Sequence, residues 1–217
     1  MFAAGIVALL ESRLGLSPWD VLHQGIAKHS PLSFGEANIV VGVVVLAAAW
    51  LLGARVGIGT VANAVLIGVF IDRLISIGWV SGLSHDRLGV RIGLLVAGIA
   101  VIGLGSGFYL SANLGAGPRD SLMVVGARRT GIRIGVVRAA IELSALVAGF
   151  VLGGRVGAGT LAFAVLIGPS VEVAFWSLLR TGLAEPGPGV RLPDMAGVVE
   201  PGDFHEVARP GGSQPLP

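Results

Sequence analysis

Leu14-Gly15-Leu16-Ser17-Pro18-Trp19-Asp20 returns 100 positions later as Leu114-Gly115-Ala116-Gly117-Pro118-Arg119-Asp120. Working outward from it, Gly35 aligns with Gly135. Arg55-Val56-Gly57-Ile58-Gly59-Thr60 aligns with Arg155-Val156-Gly157-Ala158-Gly159-Thr160. Val65-Leu66-Ile67-Gly68 aligns with Val165-Leu166-Ile167-Gly168, and Asp72 stands opposite Glu172. The alignment needs no gap. Shared Leu and Val are cheap in any membrane chain, but shared Pro, Asp, Arg, Gly and Thr are not. The chain reads as an internal duplication.

Composition says where such a chain lives. Of 217 residues, 53% are hydrophobic and 13% charged, and the mean hydropathy is +0.84. A soluble domain carries roughly 25% charged residues, so water is the wrong solvent here. A helix needs about 20 apolar residues to cross a bilayer, and stretches of that order recur. A membrane barrel would alternate apolar and polar residues with a period of two. The run from Ile39 to Leu52 is apolar on every side, which excludes a barrel. The net charge of +2 is spread without a basic stripe interleaved with aromatics, so nucleic acid is not an expected partner. Cysteine is absent, which removes disulfides, thiol catalysis and cysteine-based metal sites. The N-terminus has no basic region ahead of its apolar run, unlike a secretory signal.

Six apolar helices are expected, at 1–13, 33–53, 58–80, 90–112, 133–153 and 158–180. Two amphipathic stretches, 18–30 and 118–130, are each about 20 Å long as helices, too short to span. An odd number of crossings per copy turns the second copy upside down. The expected fold is thus an all-α polytopic membrane protein. Its six transmembrane helices form two inverted three-helix repeats, 1–80 and 90–180, with short interfacial or re-entrant helices. From 185 to 217 the chain is rich in Pro and Gly and reads as a disordered tail. The balance of Arg and Lys between the two sides favours cytoplasmic termini. The duplication also implies that the partner of the helix beginning near Val90 starts about ten residues before Met1. The first helix is short for a span, and the expectation is a misplaced start codon or a truncated chain.

Each shared motif admits a structural and a functional reading. Ser17-Pro18-Trp19-Asp20 suits a helix start, with Ser at the cap and Pro in the first turn. Asp20 and Asp120 either cap their helices, which is the leading reading, or form a pair of carboxylates at a pathway mouth. The R-x-G-x-G-T pattern of Arg55 to Thr60 and Arg155 to Thr160 gives tight turns and close helix approach. Its alternative is an anion site at a helix N-terminus. Asp72 and Glu172 lie deep in their helices, where ionisable groups are costly and often functional; interfacial anchoring is the competing reading. Arg138 and Glu142 stand four apart and can pair on one face. Their counterparts are Asn38 and Gly42, so this element breaks the duplication. His23, His29, His85 and His205 show no metal-ligand spacing, and neither G-x-S-x-G nor H-E-x-x-H occurs. No enzyme activity, cofactor or metal is expected.

At these motifs the sequence resembles the YczE/YitT-like bacterial integral membrane proteins, most closely the YczE type. The resemblance is carried by Leu14 to Leu22, Arg55 to Asp72, Ser111 to Asp120, Arg138 to Leu143 and Gly153 to Pro169. It implies a multi-pass protein of the bacterial plasma membrane and no agreed substrate. The architecture itself suggests a small transporter or channel-like protein with its site at the repeat interface. The candidate polar residues are Asp20, Asp120, Arg55, Thr60, Arg155, Thr160, Asp72, Glu172, Arg138 and Glu142. The competing expectation is a non-transporting membrane scaffold or regulatory partner. Expected partners are the lipid bilayer, an unknown small molecule or ion, and a second copy or another membrane protein.

Overall fold

The computed structural model describes residues 1–54, 57–77, 87–112 and 117–181. The expected tail, Arg55 and the ends of several connections lie outside the described residues. Eight helices run through the described parts: α1 Phe2–Ser12, α2 Pro18–His29, α3 Phe34–Leu51, α4 Ile58–Ile75, α5 Leu88–Ala112, α6 Pro118–Thr130, α7 Ile134–Val151 and α8 Ala158–Arg180. Five of them, α3, α4, α5, α7 and α8, are long and apolar enough to cross a membrane. The protein is an all-α polytopic membrane protein. α1 is apolar but has 11 residues, a length of about 16 Å against the ~30 Å of a hydrocarbon core.

Local sequence explains where the helices begin and end. Ser17 takes extended backbone, and its hydroxyl accepts from the Asp20 amide, with Pro18 opening α2. Ser33 and Glu36 cap α3 reciprocally: the Ser33 hydroxyl accepts from Glu36 N and the Glu36 carboxylate from Ser33 N. α1 stops at Arg13, which adopts the left-handed conformation at φ 53°. Arg91 braces that end, donating from Nε to the Ser12 carbonyl at 2.8 Å. Two expected spans end earlier than their composition alone suggests. Gly53, at φ 94°, turns the chain just after α3, and α4 gives way at Ser76.

α1 packs along α5, α5 along α8, and α3 along α4. The two short helices cross between the halves of the chain: α2 lies on α7, and α6 on α3. Each short helix also ends on a carbonyl just past the C-terminus of the helix it crosses. Lys28 Nζ donates to the Gly153 carbonyl, and Arg129 Nε donates to the Leu52 carbonyl. Cations near a helix C-terminus meet the negative end of its dipole. Glycine makes the closest crossings feasible. A Cβ on Gly149 would stand 2.4 Å from the Leu22 amide nitrogen, and one on Gly5 would stand 2.8 Å from the Gly98 carbonyl oxygen. A largely apolar cluster of Leu9, Leu16, Val21, Ile71 and Ile99 fills the space where α1, α2, α4 and α5 converge.

Candidate functional site

The N-termini of α2 and α6 meet beside a cavity of about 840 Å³. Every helix contributes to its wall, from Ile6 on α1 to Ile167 on α8. Many wall positions recur in the two halves at an offset of 100: Asp20 and Asp120, Asn38 and Arg138, Gly42 and Glu142, Ala64 and Ala164, Ile67 and Ile167.

The two short helices present opposite chemistry to this space. On α2, Asp20 is 2% exposed and His23 1%. The Ser17 hydroxyl donates to Asp20 Oδ2. The His23 Nδ1 nitrogen lies 3.3 Å from Asp20 Oδ1 and 3.2 Å from Asn38 Nδ2. One nitrogen cannot serve both partners at once. Protonated, it donates to the carboxylate; bare, it accepts from the Asn38 amide. Burial opposes the charge on Asp20, but hydrogen bonds from His23 and Ser17 and the positive charge of Arg119 outweigh it. The carboxyl is held below its ordinary range. Burial pushes His23 below its ordinary value, helped by Arg119 and resisted by Asp20. The α2 terminus is a satisfied, enclosed network around an ionised carboxylate.

On α6 the cap is Gly117, which has no side chain to hold Asp120, and Asp120 is exposed along the cavity wall. Arg119 lays its guanidinium over the Trp19 ring of α2, 4.8 Å from the centroid, a cation–π contact joining the two helix starts. Across the cavity, Arg138 Nε donates to Glu142 Oε1 at 3.0 Å. The pair is 56% and 38% exposed, so both side chains can turn toward a third charged group. The cavity charges therefore come mostly from the second half: Arg119, Asp120, Arg138 and Glu142, with the enclosed Asp20 opposite.

Of the ten candidate residues, four line the cavity: Asp20, Asp120, Arg138 and Glu142. The Gly-Thr turn of the second half does other work. The Gly159 amide donates to the Leu14 carbonyl at 2.8 Å, and Thr160 Oγ1 accepts from the Leu16 and Gly157 amides. Thr160 thus holds the loop that leads into α2. Thr60 is fully buried. Arg155 is fastened through its backbone amide to Gln24 Oε1. Asp72 ties α4 to α3: Oδ1 accepts from Gly35 N at 2.8 Å and Oδ2 from the Ser33 hydroxyl. Glu172 is exposed on α8. Arg55 lies outside the described residues. Sequence reasoning missed Arg119, Trp19 and His23 as members of the site. The signal available for Arg119 was its mismatch with Trp19 between the shared Pro and Asp of the motif.

The family model that matches this chain over residues 1–175 is described as a family of unknown function, DUF6198. Among curated proteins, the "Uncharacterized membrane protein YczE" of Bacillus subtilis is 39% identical over 135 residues, 60% of each chain. An "Uncharacterized protein" of Haemophilus influenzae is 38% identical over 120 residues, 55% of this chain and 52% of its own. The matched segments thus span little more than half the length of these relatives. No solved structure matches. With a match covering most of the helical region, this membrane protein belongs to the DUF6198 family.

Proposed function

We propose that the two halves are inverted copies of one three-helix unit and that the protein is a small transporter or channel-like protein. The cavity between the halves is its substrate site. One observation carries this reading: the wall is built from positions that correspond in the two halves and converge on the paired starts of two helices too short to span. Inverted-repeat transporters place their sites where half-helix termini meet at mid-membrane. The crossings of the short helices fit a two-fold relation, since α2 on α7 answers α6 on α3. Gly105, the counterpart of Gly5, meets Met1 and Phe2 at the α1–α5 crossing. The location that follows is the bacterial plasma membrane, with cytoplasmic termini favoured by the charge balance.

Asp120, Arg119, Arg138 and Glu142 are the residues offered to a substrate in this reading. Asp20 serves as the fixed charge that orients Arg119. A scaffold or regulatory subunit is the second reading, favoured by one feature: Asp20 and Asp72 both spend their carboxylates on helix starts and neighbouring side chains. Flux of a library of charged small solutes into proteoliposomes separates the two. Transport of one solute class, lost in Asp120→Asn and in Arg138→Gln at unchanged thermal stability, is the expected result. No flux across the library, together with one specific membrane protein that copurifies, would leave the scaffold.

A further inference from the structure

α3 and α4 are zipped along their length, whereas α7 and α8, their counterparts, barely touch. In the first pair, a Cβ on Gly35 would stand 2.2 Å from the Gly68 carbonyl oxygen, so the two backbones are in direct contact. Asp72 then accepts from Gly35 N and Ser33 Oγ across the seam. The second pair carries the same parts. Gly135 and Gly168 occupy the corresponding positions, yet nothing stands within 4 Å of a Cβ on either. Glu172 replaces Asp72, one methylene longer, and Arg133 replaces Ser33. Among the described residues no ion pair joins Arg133 to Glu172, although their charges are complementary. α8 also contains Pro169, immediately after Gly168, where α4 has Val69. Proline inside a helix removes one backbone hydrogen bond and permits a bend at that point.

We infer that α7 and α8 are a gate on the cavity and that the structure shows it open. It closes on the pattern of the first half. Gly135 packs against Gly168, and Glu172 accepts from the Gly135 amide and from the Arg133 guanidinium. The bend at Pro169 brings the two helices together. Both helices line the cavity, through Ile141 and Glu142 on one side and Ala164, Ile167 and Gly168 on the other. Closure therefore seals that wall. This inference rests on the inverted-copy reading, but its test needs no substrate.

The chain has no cysteine, so introduced pairs report cleanly. A Cβ on Gly42 would stand 3.4 Å from Ala64 Cβ, near the separation a disulfide needs. Its counterpart pair is Glu142 and Ala164. In native membranes, the double variant G42C/A64C should oxidise readily, since its seam is closed. The double variant E142C/A164C should also form a disulfide, detected as linked peptides by mass spectrometry. Adding Gly135→Val should lower that yield about tenfold with no loss of thermal stability, because the valine obstructs only the closed gate. Failure of E142C/A164C to oxidise while G42C/A64C does, or a yield indifferent to Gly135→Val, overturns the gate. Flux without this cross-link sinks the gate and leaves transport standing. The cross-link without flux does the reverse.

Discussion

The α3–α4 and α7–α8 pairs share glycines at matching positions, and they pack in opposite ways. Gly35 and Gly68 bring two backbones together; Gly135 and Gly168 face open space. Small residues permit close approach of membrane helices, but apolar burial alone does not drive it in lipid, where packing and interhelical hydrogen bonds decide. The first pair has those bonds, through Asp72 to Ser33 and Gly35. In the second, Glu172 and Arg133 stand at the positions of Asp72 and Ser33 and are longer, no ion pair joins them among the described residues, and Pro169 lies inside the helix. Glycines at corresponding positions are common to both pairs. The pair whose seam is shut is the one in which a short carboxylate also bonds across it.

The largest effect that could break this comparison is steric. Gly35→Val forces α3 away from the Gly68 carbonyl and disturbs both bonds to Asp72. Overpacking typically costs about 1–3 kcal/mol and sometimes more, and the upper end is expected here. Gly135→Val meets nothing in the structure and should stay within about 0.5 kcal/mol. Thermal unfolding of the two variants in one detergent measures the contrast. Equal losses would mean that α7 and α8 are packed in the membrane as tightly as α3 and α4.

The second contrast lies between the two short helices. Asp20→Ala strips the Ser17 hydroxyl and the His23 imidazole of a buried partner. Leaving buried polar groups unsatisfied costs about 1–3 kcal/mol. Asp120→Ala removes an exposed carboxylate whose cap position is glycine, and a change within about 0.5 kcal/mol is expected. The same two variants should rank the other way in the flux of whichever charged solute the proteoliposome library returns.

A smaller effect concerns the link between the halves. Thr160→Val keeps the shape but leaves the Leu16 amide without its acceptor, for a loss of about 1 kcal/mol. Limited proteolysis should show the loop at 14–16 becoming the first site of cleavage.

Much of this was legible in the sequence, and the reasons can be followed residue by residue. Composition and the 100-residue correspondence point to a helical membrane protein, and Ser17-Pro18 and Gly117-Pro118 mark the starts of the short helices within one residue. Helix starts and apolar stretches are local properties. The cavity is not local. Asp20, Asp120, Arg138 and Glu142 line it, while Thr160 and Asp72, equally polar and part of the same correspondence, are spent on holding loops and helix ends. Only the crossing of α2 onto α7 and of α6 onto α3 sorts them. Arg119 illustrates the limit: its role depends on stacking over Trp19, a contact between residues that alignment places at the same position.

The smallest expected effect separates the enclosed network from the open one by pH. His23 is buried, and its folded-state value lies below the ordinary 6.5. The unfolded chain therefore takes up a proton at a pH where the folded protein still refuses it. Stability contributed by the neutral imidazole is present above about pH 6.5 and declines as pH falls below it, toward the folded value. Asp20, held below 3.8, contributes stability that is lost only under more acidic conditions, so it does not interfere between pH 7 and 5. One proton limits the slope to about 1.4 kcal/mol per pH unit. The melting temperature should fall between pH 7 and 5 in the wild-type chain, and His23→Gln should flatten that fall while keeping a polar partner near Asp20. A wild-type profile that is already flat would mean that water reaches the α2 network, and that its enclosure no longer distinguishes it from Asp120 and Arg138 across the cavity.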